Sequence, residues 1–441
     1  MGLTGLAIFK LLPKTNCKEC GVPTCLAFAM ALASGKTTLD KCPYVSDEAK
    51  ESLESATAPP IKLVKAGVGD NVLELGDEQV MFRHDKTFYH PTGIFIEVAD
   101  NADVAAKVDE INGLVFERVG QKYEVDGVAV VNASGNADTF KDAVAAAAAK
   151  TNKVLLLVSE DAAAMEAAAA GVADRKPILY AANGDNYEKM VEVAKKLAAP
   201  LVVKGKNLDD LADLAGKVGY KELILDSGER ETSKVLADLT QIRRQAIKKR
   251  FRPFGYPTIA FTTEEDPYME ALQAQVYVSK YASIVVLKTT ELASLITLFS
   301  FRSNLYTDPQ KPIAVQPGVY AVGEVTPDSP VYITTNFSLT FYTVQTEVES
   351  TRIPSYLIAF ETEGLSVLTA WAGGKFIGEE IGPWLKDSEI NEKVNHKNLI
   401  IPGGVAAIKG KIEELSGWEV TVGPREANGI GSFAKLKLGG A

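Results

Sequence analysis

Runs of consecutive apolar residues alternate with amphipathic or alanine-rich segments through the middle of the chain. Eight such runs begin at Gly93, Gly127, Lys153, Pro177, Pro200, Lys221, Pro257 and Ala282. Continuous apolar runs of this length are typical of strands buried on both faces of a parallel sheet. Eight β/α units over about 200 residues therefore predict a (β/α)8, or TIM, barrel. A doubly wound open sheet is the alternative, because the number of runs does not show whether the sheet closes.

The last third of the chain has a different pattern. Residues 308–330 are rich in proline and glycine, which predicts a second domain boundary. The apolar runs that follow end in clusters of Gly, Thr, Ser or Pro, and in an open α/β sheet such loops bind ligands at a topological switch point. The hydroxyl and small apolar groups of residues 336–340 and 366–369 suit a large, planar, partly apolar ligand. No GxGxxG motif follows a strand and no GxxxxGK[ST] motif occurs, which argues against nicotinamide, flavin and P-loop nucleotides.

The two glycine pairs of this region, Gly373-Gly374 and Gly403-Gly404, have two interpretations. They are either ordinary tight turns or positions where the backbone approaches a ligand closely.

All four cysteines lie near the N-terminus, at Cys17, Cys20, Cys25 and Cys42. The uneven spacing, with three clustered thiols and a remote fourth, favours a [4Fe–4S] cluster. A zinc site is the first alternative, but the sequence has neither a second Cys-x2-Cys knuckle nor a His near the cysteines. Two disulfides are the second alternative, which a reducing cytoplasm disfavours.

A helix is predicted over residues 25–34 of the cysteine module, and its spacing predicts a module core of Leu26, Ala29, Met30 and Ala33. Residues 56–60 resemble a linker. The predicted domains are therefore residues 1–57, 58–325 and 326–441.

The charge of the chain narrows the classes of partner. The 441 residues carry 47 Lys+Arg and 57 Asp+Glu, a formal net charge of −10, so nucleic acid and anionic membrane surfaces are poor general partners. No apolar run approaches the ~20 residues of a membrane span, and the N-terminus lacks the pattern of a signal peptide. These features predict a soluble cytoplasmic protein. The basic segment 243–252 is expected to be a solvated helix face or a helix C-terminal charge bias rather than a partner dock, and Asp266 to belong to a capping turn.

Taken together, the cysteine spacing, the barrel-like middle and four C-terminal segments resemble the large (gamma) subunit family of corrinoid iron–sulfur proteins. The C-terminal segments are VYITTNFSLT, GLSVLTAWAGGKF, LIIPGGVAAIKGK and GWEVTVGPREANGI. The resemblance covers essentially the whole chain in the same order. It implies an α/β multidomain architecture with a small [4Fe–4S] domain, a TIM barrel and a C-terminal Rossmann-like cobamide-binding domain.

The family resemblance also implies a function in the reductive acetyl-CoA (Wood–Ljungdahl) pathway. A cobamide would accept a methyl group from methyltetrahydrofolate through a methyltransferase and deliver it to acetyl-CoA synthase/CO dehydrogenase. The cluster would receive electrons from a ferredoxin-type reductant and pass them on to reactivate the cobalt. A small subunit would complete a heterodimer and cap the cobamide. The chain would then be a corrinoid methyl carrier rather than a stand-alone catalyst.

The resemblance directs the search for corrin contacts to the C-terminal loops, and it places Thr369 near the lower face of the corrin. The candidate contacts are Thr335, Asn336, Thr340, Phe341, Ser366, Val367, Leu368, Thr369, Gly403, Gly404, Gly429 and Ile430. The chain has three histidines, none in an Asp-x-His-x-x-Gly motif. We therefore expect a base-off cobamide without a histidine ligand.

Two other classes of protein remain open from the sequence. One is a true enzyme, either a barrel methyltransferase or an iron–sulfur oxidoreductase. The other is an iron–sulfur electron-transfer or scaffold subunit without its own cobamide.

Overall fold

A computed structural model describes residues 5–33, 37, 39–46, 49, 59–85, 87–118, 121–308 and 311–439. The chain forms two compact units, one of residues 1–116 and 124–306 and the other of residues 117–123 and 307–441. Within the described ranges, no helix is both long and apolar enough to cross a membrane.

The cysteine module contains helices α1 (Gly5–Leu11) and α2 (Cys25–Ala33). The predicted helix is present, but the predicted core face is wrong for three of its four residues: α2 buries Cys25, Phe28, Ala29 and Leu32, whereas Leu26, Met30 and Ala33 are exposed. The helix is apolar on every side, so spacing alone does not identify its inner face. The predicted linker at 56–60 lies mostly outside the described residues, which omit 50–58.

The barrel is an eight-stranded parallel sheet that follows a short antiparallel pair, β1 (Val64–Ala66) with β2 (Leu73–Leu75). Strands β4 (Val115–Arg118) and β5 (Gln121–Glu124) form a separate two-stranded sheet. The barrel strands, one from each predicted run, are β3 (Gly93–Ala99), β6 (Gly127–Val131), β7 (Val154–Val158), β8 (Ile178–Ala182), β9 (Leu201–Lys204), β10 (Leu223–Asp226), β11 (Ile259–Phe261) and β12 (Ile284–Leu287).

The order of these strands in the sheet is β10-β9-β8-β7-β6-β3-β12-β11. The two ends meet, because Leu225 of β10 forms a parallel bridge with Thr258 and its N–H donates to the Pro257 carbonyl at 2.8 Å. This closure confirms the barrel over the open-sheet alternative. Gly127 is required where two strands approach, since a Cβ there would overlap the Phe95 ring in the barrel interior.

Eight helices follow the barrel strands: α3 (Val104–Asn112), α4 (Ala137–Lys150), α5 (Ala162–Ala169), α6 (Tyr187–Leu197), α7 (Leu208–Lys217), α8 (Thr232–Lys249), α9 (Pro267–Ser279) and α10 (Leu292–Tyr306). Side-chain oxygens cap several N-termini, as the sequence suggests for Asp266, which accepts from Tyr268 N and Met269 N at 3.0 Å each.

The second unit is built on a five-stranded sheet. Its strands are β13 (Gly318–Val322), β14 (Val331–Thr335), β15 (Ser355–Phe360), β16 (Asn398–Ile401) and β17 (Glu419–Val422). They lie in the order β13-β15-β14-β16-β17, with β13 antiparallel at one edge and the other four parallel. The order reverses between β14 and β16, which makes this pair a topological switch point.

Helices cover both faces of this sheet, so its strands are buried on both sides. They are α11 (Ser338–Ser350), α12 (Val367–Ala372), α13 (Gly378–Asp387), α14 (Ile390–Lys393), α15 (Lys409–Ser416) and α16 (Ile430–Lys437). One core contains Ile333 and Ile358 with residues of α12 to α15, and the other contains Tyr332 and Leu357 with residues of α11 and α16.

Residues 318–322, which the predicted domain limits assign to the barrel, form the edge strand of this second sheet. The limits at 57/58 and 325/326 stay predictions.

Candidate functional site

The cysteine loop adopts a concave conformation that suits an anion. Lys14, Asn16 and Lys18 all have positive φ values, at alternate positions, and Gly21 follows at φ +77°. Such alternation turns successive backbone N–H groups toward one side, as in nests that bind Fe–S clusters and phosphates. One amide already faces a thiol, since Asn16 N donates to Cys25 Sγ at 3.4 Å.

The four thiols share one neighbourhood. Burial raises the pKa of the Cys42 thiol, a backbone hydrogen bond at Tyr44 offsets part of the rise, and the charges of Cys20, Cys25 and Cys17 raise it further. Because four thiolates in one place repel one another, the site favours a cationic metal core that compensates them. Cys25 and Cys42 are buried, whereas Cys17 and Cys20 are partly exposed.

Within the described ranges, no three His, Cys, Asp or Glu side chains are placed to hold a single metal ion. In a cubane cluster each thiolate binds a different iron, so its ligands stand farther apart than those of one ion.

A cleft of about 440 Å³ opens at the carboxyl ends of β14, β15, β16 and β17 in the second unit. It lies at the switch point between β14 and β16, where open α/β sheets bind ligands. Its volume falls in the range of small-molecule sites. The lining is mixed, with apolar side chains and hydroxyls beside Arg425 and Glu426.

The side-chain hydroxyls of two buried threonines at the end of β14 have no hydrogen-bond partner in the described part of the chain. Thr334 is 1% exposed and Thr335 is fully buried, and neither Oγ1 has a partner. Thr334 lines the cleft and Thr335 does not. A buried hydroxyl without a partner costs free energy. Thr334 therefore offers an unused hydrogen bond to a ligand in the cleft.

Half of the candidate corrin contacts line this cleft. They are Thr340, Ser366, Val367, Leu368, Gly404 and Ile430.

The other six candidates do not line the cleft, and several of them have a structural role elsewhere. Phe341 is 1% exposed in the core, and a Cβ at Gly403 would overlap the Gly423 carbonyl, while one at Gly429 would crowd Pro424. Gly403 is therefore a glycine of close backbone packing, whereas Gly404 lines the cleft. Thr335 is buried, as described above.

Asn336 holds two loops together. Its Oδ1 accepts from Thr362 N at 3.0 Å, from Thr362 Oγ1 at 2.9 Å and from Gly364 N at 3.0 Å. This side chain is 2% exposed and its acceptor is saturated, so it orders the loop after β15.

Thr369 lies in the first turn of α12 and is exposed. Its Oγ1 is 3.0 Å from the Ser366 hydroxyl. Its position near the corrin stays a prediction.

His396 is the one histidine in the sequence of the second unit, and both of its ring nitrogens are engaged. Nε2 is 3.0 Å from the Ser329 carbonyl oxygen and Nδ1 accepts from Asn398 N at 3.2 Å. It also precedes β16, at the end of the strand opposite the cleft. His396 therefore lies away from the cleft, and a cobamide without a histidine ligand stays a prediction.

Sequence reasoning named the segment after β17 but not the four residues of it that line the cleft, which are Pro424, Arg425, Glu426 and Ala427. Their position directly after a strand of a parallel sheet is the signal that would have identified them. It also missed Thr343, one helical turn after Leu339 on α11.

Comparison with known proteins agrees with an N-terminal iron–sulfur module followed by the rest of a corrinoid protein subunit. A model of the CO dehydrogenase/acetyl-CoA synthase delta subunit family matches residues 63–434, and a model of an Fe–S cluster domain matches residues 12–44. A corrinoid/iron-sulfur protein large subunit from Moorella thermoacetica is 56% identical over 444 residues, which cover 99% of this chain and 100% of the relative. The chain belongs to the corrinoid iron–sulfur protein large-subunit family. The resemblance stated from the sequence is thereby confirmed.

More distant relatives of the family are archaeal. The gamma subunit of the acetyl-CoA decarbonylase/synthase complex from Methanothermobacter thermautotrophicus is 36% identical, with 98% of each chain covered. Among solved structures, a dihydropteroate synthase from Thermus thermophilus covers 55% of this chain and 99% of its own, at 13% identity and a TM-score of 0.38. That likeness is too remote to support a function.

Proposed function

We propose that the chain is the methyl-group carrier of the reductive acetyl-CoA pathway. One observation supports it most directly: a chain related over its full length to a corrinoid/iron-sulfur protein combines a four-cysteine module with a cleft at a topological switch point. When bound, the cobamide supplies a cobalt that takes a methyl group from methyltetrahydrofolate through a methyltransferase and gives it to acetyl-CoA synthase, while a [4Fe–4S] cluster supplies electrons that reactivate the cobalt.

The protein residues have distinct tasks in this proposal. Cys17, Cys20, Cys25 and Cys42 hold the cluster, and the N–H groups of the loop at residues 14–21 face its negative charge. The cleft takes part of the cobamide, with Thr334 Oγ1 free to hydrogen-bond to it.

A cleft of this size encloses only part of a cobamide, and its apolar edge remains uncovered. Leu339 and Leu368 line the cleft and are each 59% exposed. Exposed apolar side chains at the edge of a ligand site suit a second protein that closes over the ligand. The small subunit of the heterodimer would fill this role.

The barrel offers a separate surface for that small subunit. Tyr268, Met269 and Leu272 on α9 are between 50% and 56% exposed, and the neighbouring α10 exposes Leu292 and Ile296.

The two helices themselves carry almost no exposed charge, and the exposed carboxylates Asp266 and Glu291 lie directly before them in the chain. The one charged residue of α9, Glu270, is 2% exposed, and the one charged residue of α10, Arg302, pairs with Asp126. Interface cores are depleted in charged residues and enriched in Tyr and Met. The relative's printed description, a large subunit, makes a small subunit the occupant that we propose.

Absorbance of the anaerobically purified heterodimer tests the function. We expect a cobamide band together with the broad shoulder of an iron–sulfur cluster. A cluster shoulder alone would favour an electron-transfer or scaffold subunit. Methyl transfer from donor to acceptor without any added partner would favour a stand-alone enzyme.

A further inference from the structure

The cysteine module is a basic region in an acidic protein. Residues 1–46, which hold all four cysteines, contain five lysines and two acidic residues, a net charge of +3, whereas the whole chain has a net charge of −10. Over the predicted domain 1–57 the net charge is zero, because four of its six acidic residues follow the cysteines, at positions 47–54. The positive charge is therefore local to the cysteine segment. An acidic redox partner would be attracted to this module and repelled by the rest of the chain.

The lysines of the module are placed close to the cysteines. Lys18 lies between Cys17 and Cys20, Lys14 lies three residues before Cys17, and Lys41 directly precedes Cys42. Lys10 lies in the last turn of the nearby helix α1. All four side chains are exposed.

These lysines differ from many others in the chain in having no salt bridge among the described residues. Barrel lysines are commonly paired, for example Lys150 with Asp109 at 2.7 Å and Lys196 with Glu166 at 2.7 Å. In the cysteine module, the carboxylate of Glu19 instead accepts a hydrogen bond from Tyr44 Oη at 2.8 Å. The positive charge of Lys10, Lys14, Lys18 and Lys41 therefore faces solvent without an ion-pair partner in the described part of the chain.

The same module exposes apolar side chains. Leu6 is 66% exposed, Met30 58% and Leu26 43%. Cys17 and Cys20 are the partly exposed ligands and Cys25 and Cys42 the buried ones, so the edge that an electron reaches from solvent is the one beside Lys14 and Lys18. Apolar groups surrounded by charges are the usual composition of a protein interface.

We propose that Lys10, Lys14, Lys18 and Lys41 form a docking surface for an acidic, low-potential iron–sulfur electron carrier. The inference rests on the proposed function, because it requires the cluster. In the transfer step the carrier's cluster loses one electron and the chain's cluster gains it, with no bond made or broken. The competing explanation is that the lysines only offset the negative charge of the cluster and its thiolates.

Charge reversal distinguishes these explanations. The test uses the heterodimer with its cluster, the double variant K14E/K18E, and a matched control, Lys141→Glu, at an exposed position on α4 of the barrel. The electron donors are a reduced acidic ferredoxin and reduced methyl viologen, a small cation, each mixed with the protein in a stopped-flow instrument.

We expect K14E/K18E to lower the second-order rate constant with ferredoxin by about tenfold at low ionic strength, and Lys141→Glu to leave it within about twofold. The difference between the variants should shrink as salt approaches ~1 M, where charges are screened beyond about 3 Å. The rate with methyl viologen should not fall. Binding of ferredoxin, measured by calorimetry at low salt, should weaken in parallel.

Two results would overturn the proposal. One is an unchanged ferredoxin rate and affinity in K14E/K18E. The other is an equal slowing with both donors together with a shifted midpoint potential, which would show that the lysines tune the cluster instead. A heterodimer without iron would contradict the proposed function itself, and the iron content of each preparation separates that failure from these two.

Discussion

The paired threonines at the end of β14 allow a matched comparison at single residues. Thr334 and Thr335 are adjacent, buried and without hydrogen-bond partners, but only Thr334 lines the cleft. The sequence directed attention to Thr335 and missed Thr334. A strand places neighbouring residues on opposite faces, so an error of one position changes the face entirely.

Thr334→Val is predicted to weaken cobamide binding about tenfold, because it removes a hydroxyl that the cleft leaves for the ligand. Thr335→Val is the control and should leave the affinity unchanged. Equilibrium dialysis of cobamide against each variant measures the effect. Equal affinities of the two variants would show that the Thr334 hydroxyl does not contact the cofactor.

Arg243 is a charged residue whose burial the basic composition of its segment did not reveal. The basic segment 243–252 was expected to be a solvated helix face, and this expectation is wrong for Arg243, which is 4% exposed. Its guanidinium lies 3.1 Å from Glu78 Oε2 and above the ring of Tyr281 at 4.3 Å. The buried positions of α8 include Val235, Leu239 and Ala246, and this helical spacing would have placed residue 243 on the inner face.

Arg243→Met is predicted to lower the free energy of unfolding by about 3–5 kcal/mol, because it leaves the Glu78 carboxylate buried without its cation. Arg244→Met, one residue on and exposed, should change it by less than about 0.5 kcal/mol. Urea unfolding followed through the barrel transition tests both. Similar midpoints for the two variants would refute a structural role for the Arg243 pair.

At the scale of elements, the eight predicted strands all occur in the barrel. Each is buried on both faces, so each has a continuous run of apolar residues that is visible in the sequence. The number of runs predicted a barrel but did not exclude an open sheet, since closure depends on the contact of Leu225 with Thr258, which no local pattern shows. The inner face of α2 was misassigned because the helix itself has apolar residues on every side. Half of the corrin candidates line the cleft because they follow strand ends. The other six do not line it, for example Phe341 in the core and Asn336 between two loops, and their contact with the corrin stays a prediction.

Leu272→Glu on α9 is predicted to weaken association with the small subunit at least tenfold, because it places a charge in the uncharged face of α9 and α10. Ala145→Glu introduces the same charge on α4, at an exposed position outside that face, and should have no effect. Analytical ultracentrifugation of the mixed subunits measures association. A heterodimer of unchanged affinity in Leu272→Glu would exclude this face as the contact.

At the scale of the whole molecule, the chain combines a basic module with an acidic remainder. A carrier that receives electrons from one protein and exchanges methyl groups with others benefits from surfaces of different charge, since each surface then selects its own partner. The sequence shows this charge distribution directly, whereas the exposure of the lysines required the structure.

The account also predicts the state of the cobalt. His396 is the one histidine in the sequence of the second unit, and both of its ring nitrogens are engaged, so we expect no imidazole of this unit on the cobalt. We also predict that the cofactor's own base stays off the cobalt, as proposed together with the family resemblance. The electron paramagnetic resonance spectrum of the Co(II) state should lack nitrogen superhyperfine splitting. Splitting from one nitrogen would contradict the base-off prediction.

The central claim is that one chain carries both an iron–sulfur cluster and, with its small subunit, a cobamide. The most direct test is the metal content of the anaerobically purified heterodimer, measured by mass spectrometry. We expect iron and cobalt in a ratio of about four to one, as required by one [4Fe–4S] cluster and one cobamide. Iron without cobalt in a heterodimer purified from cells that make cobamides, or cobalt without iron, would contradict the claim.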